Sequence, residues 1–98
     1  FIQSLPRMSG KLHKRGNLLG LEPVLDRELP EGTKIVCSFR RAPDTAYDQI
    51  VSPKPDENGV FWVSKSQFSR NILWFQLGIS TEEASMPIRE PWDSVRTR

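Results

Sequence analysis

Two short runs of aromatic and β-branched residues near the middle of the chain constrain its fold more than any other feature. The first run occupies residues 60–63 (VFWV) and follows Asn58-Gly59, and the second occupies residues 72–77 (ILWFQL). Side chains of these types pack well on a pleated surface, and turn-forming residues separate the two runs. The sequence therefore predicts a small β domain.

The length of the chain limits it to one domain. A domain of 98 residues buries only about 60% of the surface that its unfolded chain exposes. The longest apolar stretch, residues 72–79, is interrupted by Gln76 and is far shorter than the ~20 residues that cross a bilayer, so we expect no membrane span. The N-terminus lacks the features of a signal peptide, and its start at Phe1 favours a processed product or a piece of a larger protein.

The single cysteine, Cys37, cannot form an internal disulfide, and none of the three asparagines begins an Asn-x-Ser/Thr sequon. A small secreted domain is usually held by disulfides, so these absences favour an intracellular location or a module stabilised by neighbouring domains. Cys37 lies in a strand-like run between Val36 and Ser38, and buried cysteine acts as a small hydrophobic side chain. We therefore expect Cys37 to fill the core rather than to react.

Alternation of apolar and polar residues predicts which side chains of two strands face the core. The predicted inward-facing set is Ile35, Cys37, Phe39, Leu73, Phe75, Leu77 and Ile79. The predicted outward-facing set is Lys34, Val36, Ser38, Arg40, Ile72, Trp74 and Gln76. In residues 60–63 both faces are apolar, so either Val60 and Trp62 or Phe61 and Val63 are exposed or covered by another element.

Turn and charge signals divide the chain into three parts. We predict a flexible basic arm over residues 1–17, a β domain over residues 18–80, and a short helical turn with an extended tail over residues 81–98. The helical turn is predicted because Ser80 and Glu83 have the spacing of a capping box. The tail contains one large anchoring side chain, Trp92.

Three further elements are predicted within the β domain. Pro23 cannot donate a ladder hydrogen bond, so its segment is expected at a sheet edge. Residues 47–52 are expected to form a short strand. Residues 64–71 are expected to hold one helical turn that places Phe68 in the core.

Five to seven short strands without a long amphipathic helix predict a small all-β sandwich with extended N- and C-terminal arms, or, as second choice, an SH3-like or OB-like barrel. The order of a turn at Gly32, a strand at 33–40, the Asn58-Gly59 turn with its strand, and a late aromatic strand resembles immunoglobulin-like modules over about residues 20–80. The paired cysteines and late-strand tyrosine of true immunoglobulin domains are missing, so we assign no family.

Positive charge is concentrated at the N-terminus. Residues 1–16 carry four basic and no acidic side chains, whereas the rest of the chain carries ten basic and twelve acidic side chains. Such an arm can follow a phosphate backbone, and each contact then releases counterions. The candidate phosphate-contacting residues are Arg7, Lys11, Lys14 and Arg15.

Residues that could support catalysis are scarce. The only histidine, His13, lies in the predicted arm, and one histidine with one cysteine cannot supply the four ligands of a structural zinc site. The six glycines are scattered and form no phosphate-binding loop. We therefore expect no enzyme activity, no metal and no cofactor.

Surface recognition remains, within a larger protein or complex. The sequence predicts a module for protein–protein binding or assembly, with a protein partner or neighbouring domains and no membrane. The alternative is a nucleic-acid-binding domain that uses the basic arm and an aromatic, basic sheet face, and a third possibility is that the chain covers its own tryptophans. The candidate binding face is Lys34, Arg40, Arg41, Trp62, Ile72 and Trp74.

Overall fold

The computed structural model describes residues 6–41, 50–67, 72–81 and 86–97. Within these ranges the structure is all-β, with two antiparallel sheets that do not close into a barrel, so the predicted barrel alternative is wrong. The strands are β1 (Met8–Arg15), β2 (Leu18–Leu25), β3 (Thr33–Arg40), β4 (Phe61–Ser64), β5 (Ile72–Thr81), β6 (Ile88–Arg89) and β7 (Asp93–Arg96).

The two sheets have different strand orders. The first sheet has the order β1-β2-β4. In the second sheet β5 is central: β3 pairs along one side of it, and β7 and β6 pair in turn with the two halves of its other side. Sequence neighbours β2 and β3 therefore lie in different sheets, as do β4 and β5.

The inner faces of both sheets contribute to one core, an arrangement consistent with a small β sandwich. The predicted burial is confirmed for Phe39 and Leu73, which are fully buried, and for Cys37, Phe75 and Leu77, which are nearly so. The open choice in residues 60–63 is also decided: Phe61 and Val63 face the core, whereas Val60 and Trp62 lie on the opposite side, where Val60 is covered and Trp62 is half-buried. The buried core cluster is Leu19, Leu21, Cys37, Phe39, Phe61, Val63, Leu73, Phe75 and Leu77.

The structure corrects the prediction of a flexible N-terminal arm. Residues 8–15 form β1, which pairs along its whole length with β2 across a tight turn at Gly16, whose φ is +57°. Met8 and Leu12 pack against the core, and a side chain at Gly10 between them would collide with Leu21. The period of two was hidden in the sequence because a glycine occupies the middle inward position. Residues 1–5 lie outside the described residues.

The segment predicted as an extended C-terminal tail pairs with the second sheet. Residues 88–89 and 93–96 pair with β5, and Val95 packs against the core. The predicted capping box begins at Ser80, which instead belongs to β5, and its remaining residues 82–83 lie outside the described residues. The tail is ordered into strands because β5 is ten residues long and offers a second edge.

The other local predictions have mixed outcomes. The predicted edge segment β2 is central, but β4 pairs only with Leu18–Leu21, so the half that contains Pro23 has a neighbour on one side only. A 3-10 helix spans Lys65–Gln67, while Phe68 lies outside the described residues. Of the predicted strand at 47–52, only residues 50–52 are described, and Val51 forms an isolated bridge with Phe39.

Candidate binding surfaces

The six residues of the predicted binding face do not share one surface. Lys34, Arg40, Ile72 and Trp74 lie on the outer side of the β3-β5 sheet, with Arg40 directly opposite Trp74. Trp62 lies on the outer side of the other sheet, because its neighbours Phe61 and Val63 face the core. The prediction of one continuous face is therefore wrong, since the core separates the two groups. Arg41, directly after β3, is exposed.

On the outer side of the β3-β5 sheet, the chain partly covers its own aromatic residues. The guanidinium carbon of Arg40 lies 4.5 Å from the centroid of the Trp92 ring, within the range of a cation–π contact. Nε of Arg40 is buried without a hydrogen-bond partner among the described residues. Trp74, on the partner strand, is half-buried. This side of the sheet is therefore only partly available to a partner.

The Trp62 ring is held by specific contacts on the outer side of the first sheet. Gly20 lies opposite it in the register, and a Cβ atom at Gly20 would stand 2.7 Å from the indole ring. Only glycine lets the ring approach the strand so closely. The indole Nε1–H donates a hydrogen bond of 2.8 Å to Oδ2 of Asp56, and the guanidinium carbon of Arg15 lies 5.0 Å from the ring centroid.

Asp56 organises the turn that leads into β4. Its Oδ1 accepts hydrogen bonds from the backbone N–H groups of Asn58 and Val60. Gly59 adopts a φ of +80°, as the Asn58-Gly59 signal predicted. The hydrogen bond from Trp62, followed by the one from Val60, holds the pKa of Asp56 below its ordinary value.

The candidate phosphate-contacting residues lie on or beside a strand. Cross-strand pairing places Lys11 and Arg15 on the outer side of the sheet with Trp62. Lys14 belongs to the opposite side, and Arg7 precedes the strand. Nε2 of His13, on the same outer side, lies 2.7 Å from Oε1 of Glu22. Acidic side chains therefore offset part of the positive charge on this surface.

A cleft that the sequence did not predict opens beside β3. Residues 51–55 connect the two sheets. Val51 forms a bridge with Phe39 of β3, and Pro55 forms a bridge with Phe61 of β4. The cleft between this segment and β3 has a volume of about 280 Å³. Its lining residues are Lys34, Ile35, Val36, Cys37, Ser38, Ser52, Pro53, Lys54, Pro55, Phe61 and Arg89.

The backbone of β3 faces this cleft with alternate residues. Phe39 and Val51 exchange two N–H to C=O hydrogen bonds of 2.8 and 2.9 Å, so both polar groups of Phe39 point away from β5. Because these directions alternate along an antiparallel strand, the polar groups of Ile35 and Cys37 point the same way. The opposite wall contains Pro53 and Pro55, which have no N–H to donate.

Three basic residues line the cleft, and none of the described lining residues is acidic. Lys34 and Lys54 are exposed. Arg89 is held in place: Nη1 donates to Oγ of Ser38 at 2.7 Å and to Oε1 of Gln76 at 3.2 Å. A Cβ atom at Gly78 would lie 2.9 Å from the Arg89 stem, so glycine lets this stem lie across the sheet.

Sequence reasoning missed this cluster because Arg89 joins it from a distant part of the chain. Ser38 was expected to face solvent, but only 1% of it is exposed, and its hydroxyl lies 3.0 Å from that of Ser52. Nothing in the local pattern around Ser38 indicates this cover. The nearest available signal was the pair Pro53 and Pro55, which cannot close a ladder against a neighbouring strand.

Cys37 also lines the cleft, but its chemistry is suppressed. The residue is 2% exposed, so its predicted place in the core is confirmed. Burial raises the pKa of its thiol to about 12, and the reactive thiolate is therefore scarce at neutral pH.

No known protein family, curated protein or solved structure matches this chain. Among the described residues, no group of three or more histidine, cysteine, aspartate or glutamate side chains is arranged to hold a metal ion. The same part of the chain contains no helix with the length and apolar character that a membrane crossing requires.

Proposed function

We propose that this chain is a non-catalytic binding module that takes up an extended polypeptide as an additional strand along β3, in the cleft between β3 and residues 52–55. The observation that carries the proposal is the exchange of hydrogen bonds between Phe39 and Val51, which ends where the cleft begins. Beyond that point, the polar groups of Ile35 and Cys37 are directed at a wall that contains two prolines.

An unpaired strand edge is a template for another strand, and added strands gain affinity from main-chain hydrogen bonds. Val51 already pairs with Phe39 as an antiparallel neighbour of β3, and a guest strand would extend this pairing to Cys37 and Ile35. The apolar side chains of Val36 and Phe61 contribute to the walls, so alternate side chains of the guest would enter apolar surroundings.

Residue-specific NMR tests this function. The probe is a capped peptide of alternating valine and glutamate, titrated into the isotope-labelled chain. We expect the amide signals of Ile35 and Cys37 to shift and their hydrogen exchange to slow, because their N–H groups gain acceptors. Those of Val36 and Ser38 serve as internal controls, since their N–H groups already point toward β5.

An alternating response along β3 would support strand addition. Shifts confined to the surface around Trp62, with Ile35 and Cys37 unchanged, would contradict it. Equal slowing of exchange at all four β3 amides would also contradict it, because general stabilisation of the sheet does not distinguish odd from even positions.

Nucleic-acid binding is a second candidate, favoured by the position of Arg15 over the Trp62 ring with Lys11 on the same side of the sheet. Basic and aromatic side chains together bind single strands. Glu22 and Asp56 on this surface lower its positive potential, which is why the candidate ranks second. A salt titration with a labelled mixed oligonucleotide tests it: phosphate-led binding weakens steeply as salt rises.

We also infer that the fold is a small sandwich of the immunoglobulin-like class. The order β1-β2-β4 against β3-β5-β7 corresponds to the immunoglobulin orders A-B-E and C-F-G. Leucine and phenylalanine side chains occupy the core in place of a disulfide. Nuclear Overhauser contacts between the Gly10 α-protons and the Phe75 ring would support this packing, and their absence would contradict it.

A further inference from the structure

We propose that the strand taken up by β3 is acidic and that Arg89 recognises a carboxylate of this guest. The inference rests on the proposed function, and it adds the chemistry of the partner. The cleft is lined by Lys34, Lys54 and Arg89 with no acidic lining residue among those described, so its charge complements a negatively charged segment.

Arg89 is prepared for this role by its contacts. Two hydrogen bonds through Nη1, to Ser38 and Gln76, fix the guanidinium group beside β3. Its Nε and Nη2 have no hydrogen-bond partner among the described residues, so this side of the planar group is free to bind a carboxylate through two parallel hydrogen bonds. A fixed guanidinium loses little conformational freedom when the ligand binds.

The two lysines contribute differently. Lys34 and Lys54 are exposed and form no ion pair with the described residues, so they attract an acidic segment at long range rather than fix its position. The basic residues of β3 oppose its antiparallel pairing with β3 of a second copy, because a pairing centred on Cys37 would place Lys34 of one copy opposite Arg40 of the other. Edge lysines are a common protection against self-pairing. An acidic guest therefore fits this edge better than a second copy does.

The test compares three capped peptides of alternating residues: valine with glutamate, valine with glutamine, and valine with lysine. Affinity is read from the NMR shifts of Ile35 and Cys37. We expect the glutamate peptide to bind roughly fivefold more tightly than the glutamine peptide. A hydrogen bond between a carboxylate and a guanidinium group is stronger than one from a neutral amide, but solvent at this site reduces the gain. The lysine peptide should bind most weakly, and added salt should reduce the difference.

Three variants locate the preference. In Arg89→Gln the glutamate peptide should bind no better than the glutamine peptide, whereas the matched control Arg96→Gln, outside the cleft, should keep the preference. Lys54→Gln changes an exposed side chain, so it should fold normally and mainly slow association. It provides a second test should Arg89→Gln fail to fold.

The outcomes separate this inference from the proposed function. Equal affinities of all three peptides, with the alternating β3 response intact, would overturn the acidic preference and leave strand addition standing. Absence of a β3 response to every peptide would overturn both. Concentration-dependent dimerisation that protects Ile35 and Cys37 without peptide would identify a second copy as the guest and overturn the acidic partner.

Discussion

The indole Nε1–H of Trp62 donates a hydrogen bond of 2.8 Å to Oδ2 of Asp56, which joins the first outer surface to the turn before β4. The same carboxylate accepts two backbone hydrogen bonds, so one side chain fixes both the turn and the indole ring. This relationship makes the folding of the β4 turn sensitive to acid.

The first prediction concerns that sensitivity. The folded chain lowers the pKa of Asp56, so the contribution of this group to stability is present above its ordinary pKa of about 4 and is lost as the pH falls below that value. We expect Asp56→Asn to be less stable than wild type at about pH 7 and the difference to shrink at about pH 3. Urea midpoints at both pH values measure this. The control Glu57→Gln should lower neither midpoint.

A second prediction concerns the contact between the Trp62 ring and Gly20. A methyl group at Gly20 would stand 2.7 Å from the ring and 2.8 Å from Val60, so Gly20→Ala should lower the free energy of unfolding by about 1 to 3 kcal/mol. In a Trp62→Leu background the same change should cost less, because the ring is absent. Equal costs in both backgrounds, measured by urea unfolding, would show that the ring does not rest on Gly20.

The third prediction tests the core. Phe39 is fully buried between the sheets, so Phe39→Ala should cost about 3 to 5 kcal/mol. Because small domains have a total stability of only about 5 to 10 kcal/mol, the variant should be close to unfolded. The urea midpoint measures this change, and the exposed control Lys54→Ala should leave it nearly unaltered. A shift no larger than that of the control would place Phe39 outside the core.

A fourth prediction follows from the buried thiol. Because burial raises the pKa of Cys37 to about 12, a disulfide reagent should label it only when the chain unfolds. The labelling rate at about pH 8 should therefore rise with urea in parallel with the unfolded fraction. The raised pKa also means that this group's contribution to stability is lost as the pH rises from about 9 toward 12. Rapid labelling in native buffer would contradict this placement.

The fifth prediction concerns β1. Heteronuclear NOE values across residues 8–15 should equal those across residues 33–40, because both segments are paired strands with side chains on the core. Deletion of residues 1–15 should lower the urea midpoint, since it removes the cover that Met8 and Leu12 provide. Low NOE values across residues 8–15 would instead restore the flexible arm that charge and composition predicted.

Local pattern was sufficient for the central strands of the domain. Alternation in β3 and β5 predicted the burial of Phe39 and Phe75, and the Asn58-Gly59 signal predicted the turn before β4. Local pattern failed for β1 and β7. Neither β1 nor β7 contains a continuous apolar run, so each is recognisable as a strand only through the partner with which it pairs.

The candidate site was less accessible to sequence reasoning than the fold. The predicted face combined residues of the right types, but Trp62 belongs to the other sheet from Arg40 and Trp74. Which sheet a strand joins depends on pairing between segments far apart in sequence. Alternation determines only whether a side chain faces inward or outward within its own strand.

The amino-acid sequence by itself determined that this is a small β domain, which large apolar side chains of its central strands enter the core, and where the turn before β4 lies. Each of these depends on interactions between residues only a few positions apart. Only the tertiary structure decided that residues 8–15 and 93–96 join the sheets, that Gly20 lets the Trp62 ring lie against β2, and that Arg89 donates a hydrogen bond to Ser38 of β3. These contacts join segments distant in sequence, and packing of the whole chain selects them.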